Sequence, residues 1–145
     1  MRPIDILHPI TNAAFDRYAI TPFNHLSETE QTVILIRSLQ GEVSNGGFDQ
    51  FYYNSSGDFA AETVVALERI GAKRIAAVVA ESNRLFPTQP PPSERSVRIA
   101  ELDGFTDEMT EAWDHLEREF YSDPDELDEL LLAYLVHAGV PEAQP

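Results

Sequence analysis

Apolar residues recur at the spacing of an α-helix along most of this chain. Between residues 106 and 121 they form one stripe, and polar residues occupy the opposite side. The same spacing returns after residues 58, 72 and 123, whereas no stretch shows the alternation of a half-buried strand. The pattern therefore predicts an all-α single domain over residues 1–145, with about six to eight helices and no sheet.

Capping residues mark several of the expected helix starts. Ser27, with Glu30 three residues later, has the pattern of a capping box. Thr106 precedes a second helix in the position of a cap. Asp123 followed by Pro124 predicts a third start, because proline suits the first turn of a helix.

Proline and glycine predict the irregular parts of the chain. Residues 1–10 carry two prolines and are expected to form an extended arm before a short first helix. Residues 87–93 carry four prolines and predict a stiff loop within the domain. After Gly139, residues 140–145 are expected to form a tail.

The stretch from residue 45 to residue 58 combines the most local signals. Asn45 is expected to cap a short helix that places Phe48, Phe51 and Tyr52 on one face. Residues 54–57 predict a turn, after which Asp58 is expected to cap the next helix. The residues expected to form this structural motif are Asn45, Gly46, Gly47, Phe48, Phe51, Asn54, Ser55, Gly57 and Asp58.

The same stretch carries a family resemblance. With Ile70-Gly71-Ala72 and Leu85-Phe86-Pro87 further along, it resembles the bacterial DNA-mimic protein family over residues 28 to 137. The resemblance implies an all-helical acidic protein that occupies the DNA-binding surface of a regulator, as a dimer. It identifies the fold and does not assign individual contact residues.

The acidic charge is high and unevenly distributed. The formal net charge is −15, from 25 Asp and Glu residues against 10 Lys and Arg. This charge disfavours direct binding to nucleic acid or to an anionic membrane and favours a basic partner. Residues 101–130 contain 13 acidic residues and one basic residue, Arg118. A charge that served solubility alone would not need this concentration.

We therefore expect a partner-binding surface on the helices that begin at Thr106 and Pro124. Helix geometry places the carboxylates of the first helix about 4.5 to 6 Å apart along its axis. A solvated outer face is the usual role of such a run of charge, so the family resemblance is what favours a binding function. The residues expected to contact the partner are Asp107, Glu111, Asp114, Asp125, Asp128 and Glu129.

The predicted function is that of a non-enzymatic acidic binding protein that occupies the DNA-binding surface of a transcriptional regulator. One alternative is an inhibitor or immunity-type partner of a basic nuclease or toxin, since both kinds of partner present a basic surface. Another is an enzyme or ligand-binding domain that uses the 45–58 region, where polar groups lie beside aromatic rings. The residues alone leave these alternatives open.

We expect no cofactor, no metal site and no catalytic residue. The chain contains no cysteine, which excludes disulfides and thiolate ligands. Its acidic run after Asp123 lacks the spacing of an EF-hand loop. There is no signal-peptide pattern and no apolar run of about 18 residues, so we expect a cytoplasmic protein.

Leu132 and Val136 lie on the outer side of the last helix and predict cover by another segment or by a second copy in a homodimer.

Overall fold

Seven α-helices and three short 3₁₀ turns make up the computed structural model, which describes residues 1–145. In chain order the helices are α1 (Pro3–Tyr18), α2 (Glu28–Tyr53), α3 (Ala60–Arg69), α4 (Lys73–Asn83), α5 (Arg95–Leu102), α6 (Asp107–Tyr121) and α7 (Leu127–His137). The 3₁₀ turns are Phe23–His25, Ser55–Phe59 and Pro141–Ala143. There is no strand, so the predicted all-α fold is confirmed.

Helix α2 lies at the centre of the fold and packs against α1, α3, α5 and α6. The capping box predicted at its start is confirmed. Glu30 N–H donates to Ser27 Oγ at 3.2 Å, and Ser27 N–H donates to Glu30 Oε1 at 3.0 Å. The four apolar residues 33–36 are all buried, because neighbouring helices cover α2 on more than one side.

Two glycines bend α2 near its carboxyl end. Gly46 (φ −149°, ψ 16°) and Gly47 (φ +73°, ψ −172°) leave the helical conformation. The angles of Gly47 are accessible essentially only to glycine. After the bend, Phe48, Phe51 and Tyr52 are fully buried, as their spacing predicts. The helix ends at Tyr53, just before the predicted turn.

The aromatic core fills the space between the last turns of α2 and the inner face of α6. The rings of Tyr52 and Trp113 stack with centroids 5.1 Å apart. Phe105 lies 4.7 Å from the Trp113 ring, and Phe86 lies 4.7 Å from the Tyr52 ring. The Tyr52 hydroxyl donates within this core to Asn83 Oδ1, and Ser82 Oγ lies 2.9 Å from it. Its polar end is therefore satisfied although the whole side chain is buried.

The buried Tyr52 predicts a loss of stability at high pH. Burial raises the pKa of Tyr52 above its ordinary value. Its unfolded pKa is about 10, so the stability it contributes is complete below pH 10 and is lost as pH rises further, by about 1.4 kcal/mol per pH unit. We expect the free-energy difference between the wild type and Y52F, measured by urea unfolding from pH 8 to 11.5, to shrink along this slope. A constant difference across that range would contradict the assignment.

The extended arm predicted for residues 1–10 is wrong. Residues 3–10 form the first two turns of α1, which begins at Pro3. Proline is compatible with that position, because the first N–H groups of a helix have no intrahelical partner. Arg2 N–H donates to Asp5 Oδ2 at 3.1 Å, and Leu7 is fully buried against the core. Burial of this apolar face therefore outweighs the presence of Pro9 inside the helix.

Two further boundaries differ from the predictions. Helix α7 begins at Leu127, three residues after the predicted start at Pro124, because Asp123 (φ +47°) and Glu126 (φ +55°) adopt left-handed backbone conformations. Asp123 Oδ1 accepts the Leu127 N–H at 3.0 Å and still acts as a cap across this turn. The residues expected to form a tail include a 3₁₀ turn, and burial of Ala143 holds that turn against the core. Residues 87–93 lie in the connection between α4 and α5.

Candidate functional site

Helix α6 presents one apolar face to the core and one acidic face to solvent. Its start is set by Thr106, whose Oγ1 accepts the Met109 N–H at 3.2 Å, as predicted. Trp113, Leu116 and Phe120 are buried. Because helical side chains repeat every 3.6 residues, burial of this stripe directs the opposite side outward. Five exposed carboxylates lie on α6 and are called here the acidic face: Asp107, Glu108, Glu111, Asp114 and Glu119.

The bend in α2 holds α6 in place. Phe48 packs against the rings of Trp113 and Phe120, with centroids 6.5 and 6.3 Å away. Glu117 reaches from α6 to the bend, where its Oε1 accepts the Phe48 N–H at 2.8 Å. A Cβ on Gly47 would overlap the Glu117 carboxylate, so glycine is also needed there for space. Glu117 thus caps the last turns of α2, the role predicted for Asn45.

The predicted cap at Asn45 is wrong. Its Nδ2 donates to Gln50 Oε1 at 3.1 Å, and its side-chain oxygen does not bind the following helix. The backbone leaves the helical conformation at Gly46 and Gly47, so Asn45 does not occupy the N-cap position of the helix that follows, and Glu117 accepts the Phe48 N–H instead. No local pattern predicts this role for Glu117, which lies beside the buried stripe of α6 and 69 residues from Phe48 in the chain.

A buried arginine closes the other end of the motif. Arg98 is fully buried, and its guanidinium donates to four backbone carbonyls and one carboxylate. The acceptors are Tyr52 O at 2.6 Å, Asn54 O at 2.9 Å, Pro92 O at 2.9 Å, Ser93 O at 3.2 Å and Asp58 Oδ1 at 2.9 Å. The prediction that Asp58 caps α3 is therefore wrong, because its carboxylate is the counter-charge of Arg98.

The acidic residues of the 101–130 stretch divide into two groups. Five accept hydrogen bonds from other parts of the chain: Glu101, Glu117, Asp123, Asp125 and Asp128. The other eight are exposed and have no hydrogen-bonding or ion-pair partner within the chain: Asp103, Asp107, Glu108, Glu111, Asp114, Glu119, Glu126 and Glu129. Most of the local negative charge is therefore free to interact with another molecule.

Two of the six residues predicted to contact a partner have structural roles. Asp125 Oδ2 accepts the Ile75 N–H at 2.7 Å, at the amino-terminal end of α4. Asp128 Oδ1 accepts from Arg37 Nη1 and from Gln40 Nε2, each at 3.1 Å. Removal of either carboxylate would leave donors of the fold without a partner. The four other predicted residues, Asp107, Glu111, Asp114 and Glu129, are exposed and unpaired.

The acidic face concentrates like charges at helical spacing. Asp107 and Glu111 are four residues apart, and Glu111 and Asp114 are three apart, so their side chains are neighbours on the helix surface. Asp107 and Glu108 gain some compensation from the amino-terminal end of the helix dipole. Arg118 is the only Lys or Arg on this helix and forms no ion pair. The face therefore presents a largely uncompensated negative field.

The outer apolar residues of α7 face a groove beside α1. Leu132 and Val136 are half-buried, and with Pro3 and Ala133 they line a groove of ≈ 470 Å³. Helix α1 packs against α7 and provides part of the cover that the sequence predicted. The homodimer stays a prediction.

Two further features of the structure concern metal binding and membrane insertion. No three His, Asp or Glu side chains come together in a group that could hold a metal ion. None of the helices combines the length and the apolar character needed to cross a bilayer.

Comparison with known proteins gives a family match. The sequence profile of the family described as "DMP19-like protein" matches residues 24–138, well over half of the chain. The matched region includes the bend in α2, the buried arginine and the whole acidic face of α6. No curated protein and no solved structure gave a significant match.

Proposed function

Because this chain belongs to the DMP19-like protein family, we propose that it is a DNA mimic whose acidic face occupies the DNA-binding surface of a transcriptional regulator. The observation that carries the proposal is the set of exposed carboxylates on α6 that have no partner within the chain. While the regulator is bound to them, its basic residues are unable to engage the operator. The protein acts in this scheme by occupation and without catalysis.

The field of the acidic face resembles that of DNA in sign and partly in spacing. Duplex DNA carries about one negative charge per 1.7 Å of its axis. Asp107, Glu111 and Asp114 follow each other at about 4.5 to 6 Å along α6, from a rise of about 1.5 Å per residue. One helix is therefore sparser than a duplex. The flanking carboxylates Glu108 and Glu119 add charge beside this line.

A rigid helix favours this role. The inner side of α6 is fixed by Trp113 and Phe120 in the aromatic core and by the bond from Glu117 to the bend in α2. Carboxylates on a helix held in this way lose less conformational freedom on binding than those on a loop. The contacts that Asp125 and Asp128 make inside the fold add to that rigidity, so we leave these two residues out of the proposed contact surface.

The polar groups of the 45–58 region support a non-enzymatic role. Asn45 and Gln50 bind each other, Asn54 Nδ2 donates to Glu42 Oε2 at 2.9 Å, and Asp58 pairs with Arg98. Side chains that are engaged in structural bonds are poorly placed to serve as a nucleophile or a base.

We predict that a neutralised acidic surface binds its regulator about 10- to 100-fold more weakly at 0.1 M salt, since each exposed ion pair contributes about 0.2 to 1 kcal/mol. The variant carries D107N, E111Q, D114N and E129Q. Its matched control carries D16N, D49N, E62Q and E68Q, which remove the same number of exposed charges elsewhere. The partner is first captured from native cell extract at low salt, eluted with a salt gradient and identified by mass spectrometry. Affinities are then measured with the purified partner.

Displacement of the captured regulator by its own operator DNA would support mimicry. A nuclease or toxin held by the same carboxylates would favour the inhibitor alternative instead. Tight binding that persists at 1 M salt, or an equal loss of affinity in both variants, would rule out the four substituted carboxylates as the contact surface, because screening and neutralisation must both weaken their binding.

A further inference from the structure

A small cavity beside the 45–58 motif has features of a ligand site that the proposed function does not use. It has a volume of ≈ 180 Å³ and lies between α1, the first half of α2, the Ser55–Phe59 turn and the start of α3. An apolar cavity of about 150 Å³ is large enough to bind benzene. The space is therefore sufficient for the head group of a small molecule or for one side chain.

Glu42 is the only charged side chain that lines this cavity. Its Oε2 accepts from Gln50 Nε2 at 2.7 Å and from Asn54 Nδ2 at 2.9 Å, which fixes the orientation of the carboxylate. Its Oε1 receives no hydrogen bond, and no Lys or Arg lines the cavity. The Glu42 carboxylate is half-buried and bound only by two neutral amides, so it has no cationic partner. A bound cation would offset the cost of desolvating this carboxylate.

Two hydroxyl groups in the cavity are also free. Ser38 and Ser55 line it, and neither side chain forms a hydrogen bond within the chain. With Glu42 Oε1 they provide three acceptors, the number of N–H donors on a primary ammonium group. Tyr18 and Phe59 also line the cavity, and an aromatic ring attracts a cation that lies over its face.

We propose that this cavity binds a primary ammonium group, with Glu42 as counter-charge and Ser38 and Ser55 as hydrogen-bond acceptors. The group belongs either to a free small amine or to a lysine side chain of another protein. Binding here is independent of the acidic face, because Glu42 lies on α2 and does not belong to that set.

The test is a titration with n-butylammonium at 0.15 M salt, followed by amide chemical shifts in ¹H–¹⁵N NMR spectra. We expect saturable shifts at Ser38, Ser55 and Ser56, and none with n-butanol, which has the same chain without the charge. E42Q removes the charge and S38L fills the space, and each should weaken binding at least 10-fold. E108Q removes one exposed charge from the acidic face and should leave the affinity unchanged.

The proposal would be overturned if E42Q and E108Q weakened the affinity for n-butylammonium equally. It would also be overturned if amide chemical shifts changed along α6 as strongly as around the cavity. Either result indicates general attraction of the cation to an acidic protein. If E42Q fails to fold, S38L and S55A decide the outcome, because both retain the carboxylate. Nα-acetyl-lysine methylamide distinguishes a lysine side chain from a free small amine, because it carries the same ammonium group on a peptide backbone. Binding as tight as that of n-butylammonium indicates a lysine side chain of another protein. Much weaker binding indicates a free amine, since the cavity then excludes the backbone. Failure here would leave the capture of a regulator by the acidic face unaffected.

Discussion

Replacement of Arg98 by alanine should lower the free energy of unfolding by about 3 to 5 kcal/mol, because each buried acceptor left without its donor costs about 1 to 3 kcal/mol. Arg98 is 0% exposed, and its guanidinium binds carbonyls at the end of α2 and in the 87–93 loop as well as the Asp58 carboxylate. Without it, a carboxylate and four carbonyls lose a donor, and the large side chain leaves a cavity.

Urea unfolding followed by far-UV circular dichroism measures this loss. The matched control is R95A. Arg95 lies on the same helix but is exposed, where it donates to Tyr53 O at 2.7 Å and lies over the Tyr53 ring. Its removal should cost about 1 kcal/mol or less. R98K retains the charge but lacks the planar set of five donors, so we expect it to resemble R98A. A loss below about 1 kcal/mol for R98A would show that the buried guanidinium does not stabilise the fold.

Replacement of Gly47 by alanine should lower the free energy of unfolding by about 2 to 6 kcal/mol. The strained backbone conformation contributes about 1 to 3 kcal/mol, and the displaced hydrogen bond contributes about 1 to 3 kcal/mol. Gly47 has φ +73° and ψ −172°, and its position leaves no room for a methyl group beside Glu117. The substitution therefore strains the bend and separates the Glu117 carboxylate from the Phe48 N–H.

Alanine substitutions at two other glycines separate the cost of the backbone conformation from the cost of the displaced hydrogen bond. Gly71 has φ +84° with open space around it, so G71A measures the backbone cost alone and should lose about 1 to 2 kcal/mol. Gly41 lies within α2, also in open space, and G41A should stabilise the protein by about 0.5 to 1 kcal/mol. A loss for G47A no larger than that for G71A would show that the contact with Glu117 contributes nothing. Trp113 fluorescence should change in G47A alone, because the bend packs against this ring.

The helical pattern could be predicted from the sequence because its causes are local. The stripe that ends at Phe120 and the capping box at Ser27 depend on residues within a few turns of each other, and both are present as predicted. Residues 54–57 predict a turn from local signals, but the sequence does not show why position 57 must be glycine. In the structure a Cβ there would lie 2.6 Å from Arg98 Nε and 2.8 Å from Tyr52 O.

The sequence by itself determined the all-helical fold, the buried faces of the helices and the location of the negative charge. The tertiary structure alone decided which carboxylates remain free. Asp125, Asp128 and Glu117 bind groups that lie 50, 91 and 69 residues away in the chain, whereas the carboxylates of the acidic face meet no such group. Helical periodicity acts over a few residues, but the partner of a carboxylate depends on which distant donor the packed helices bring beside it.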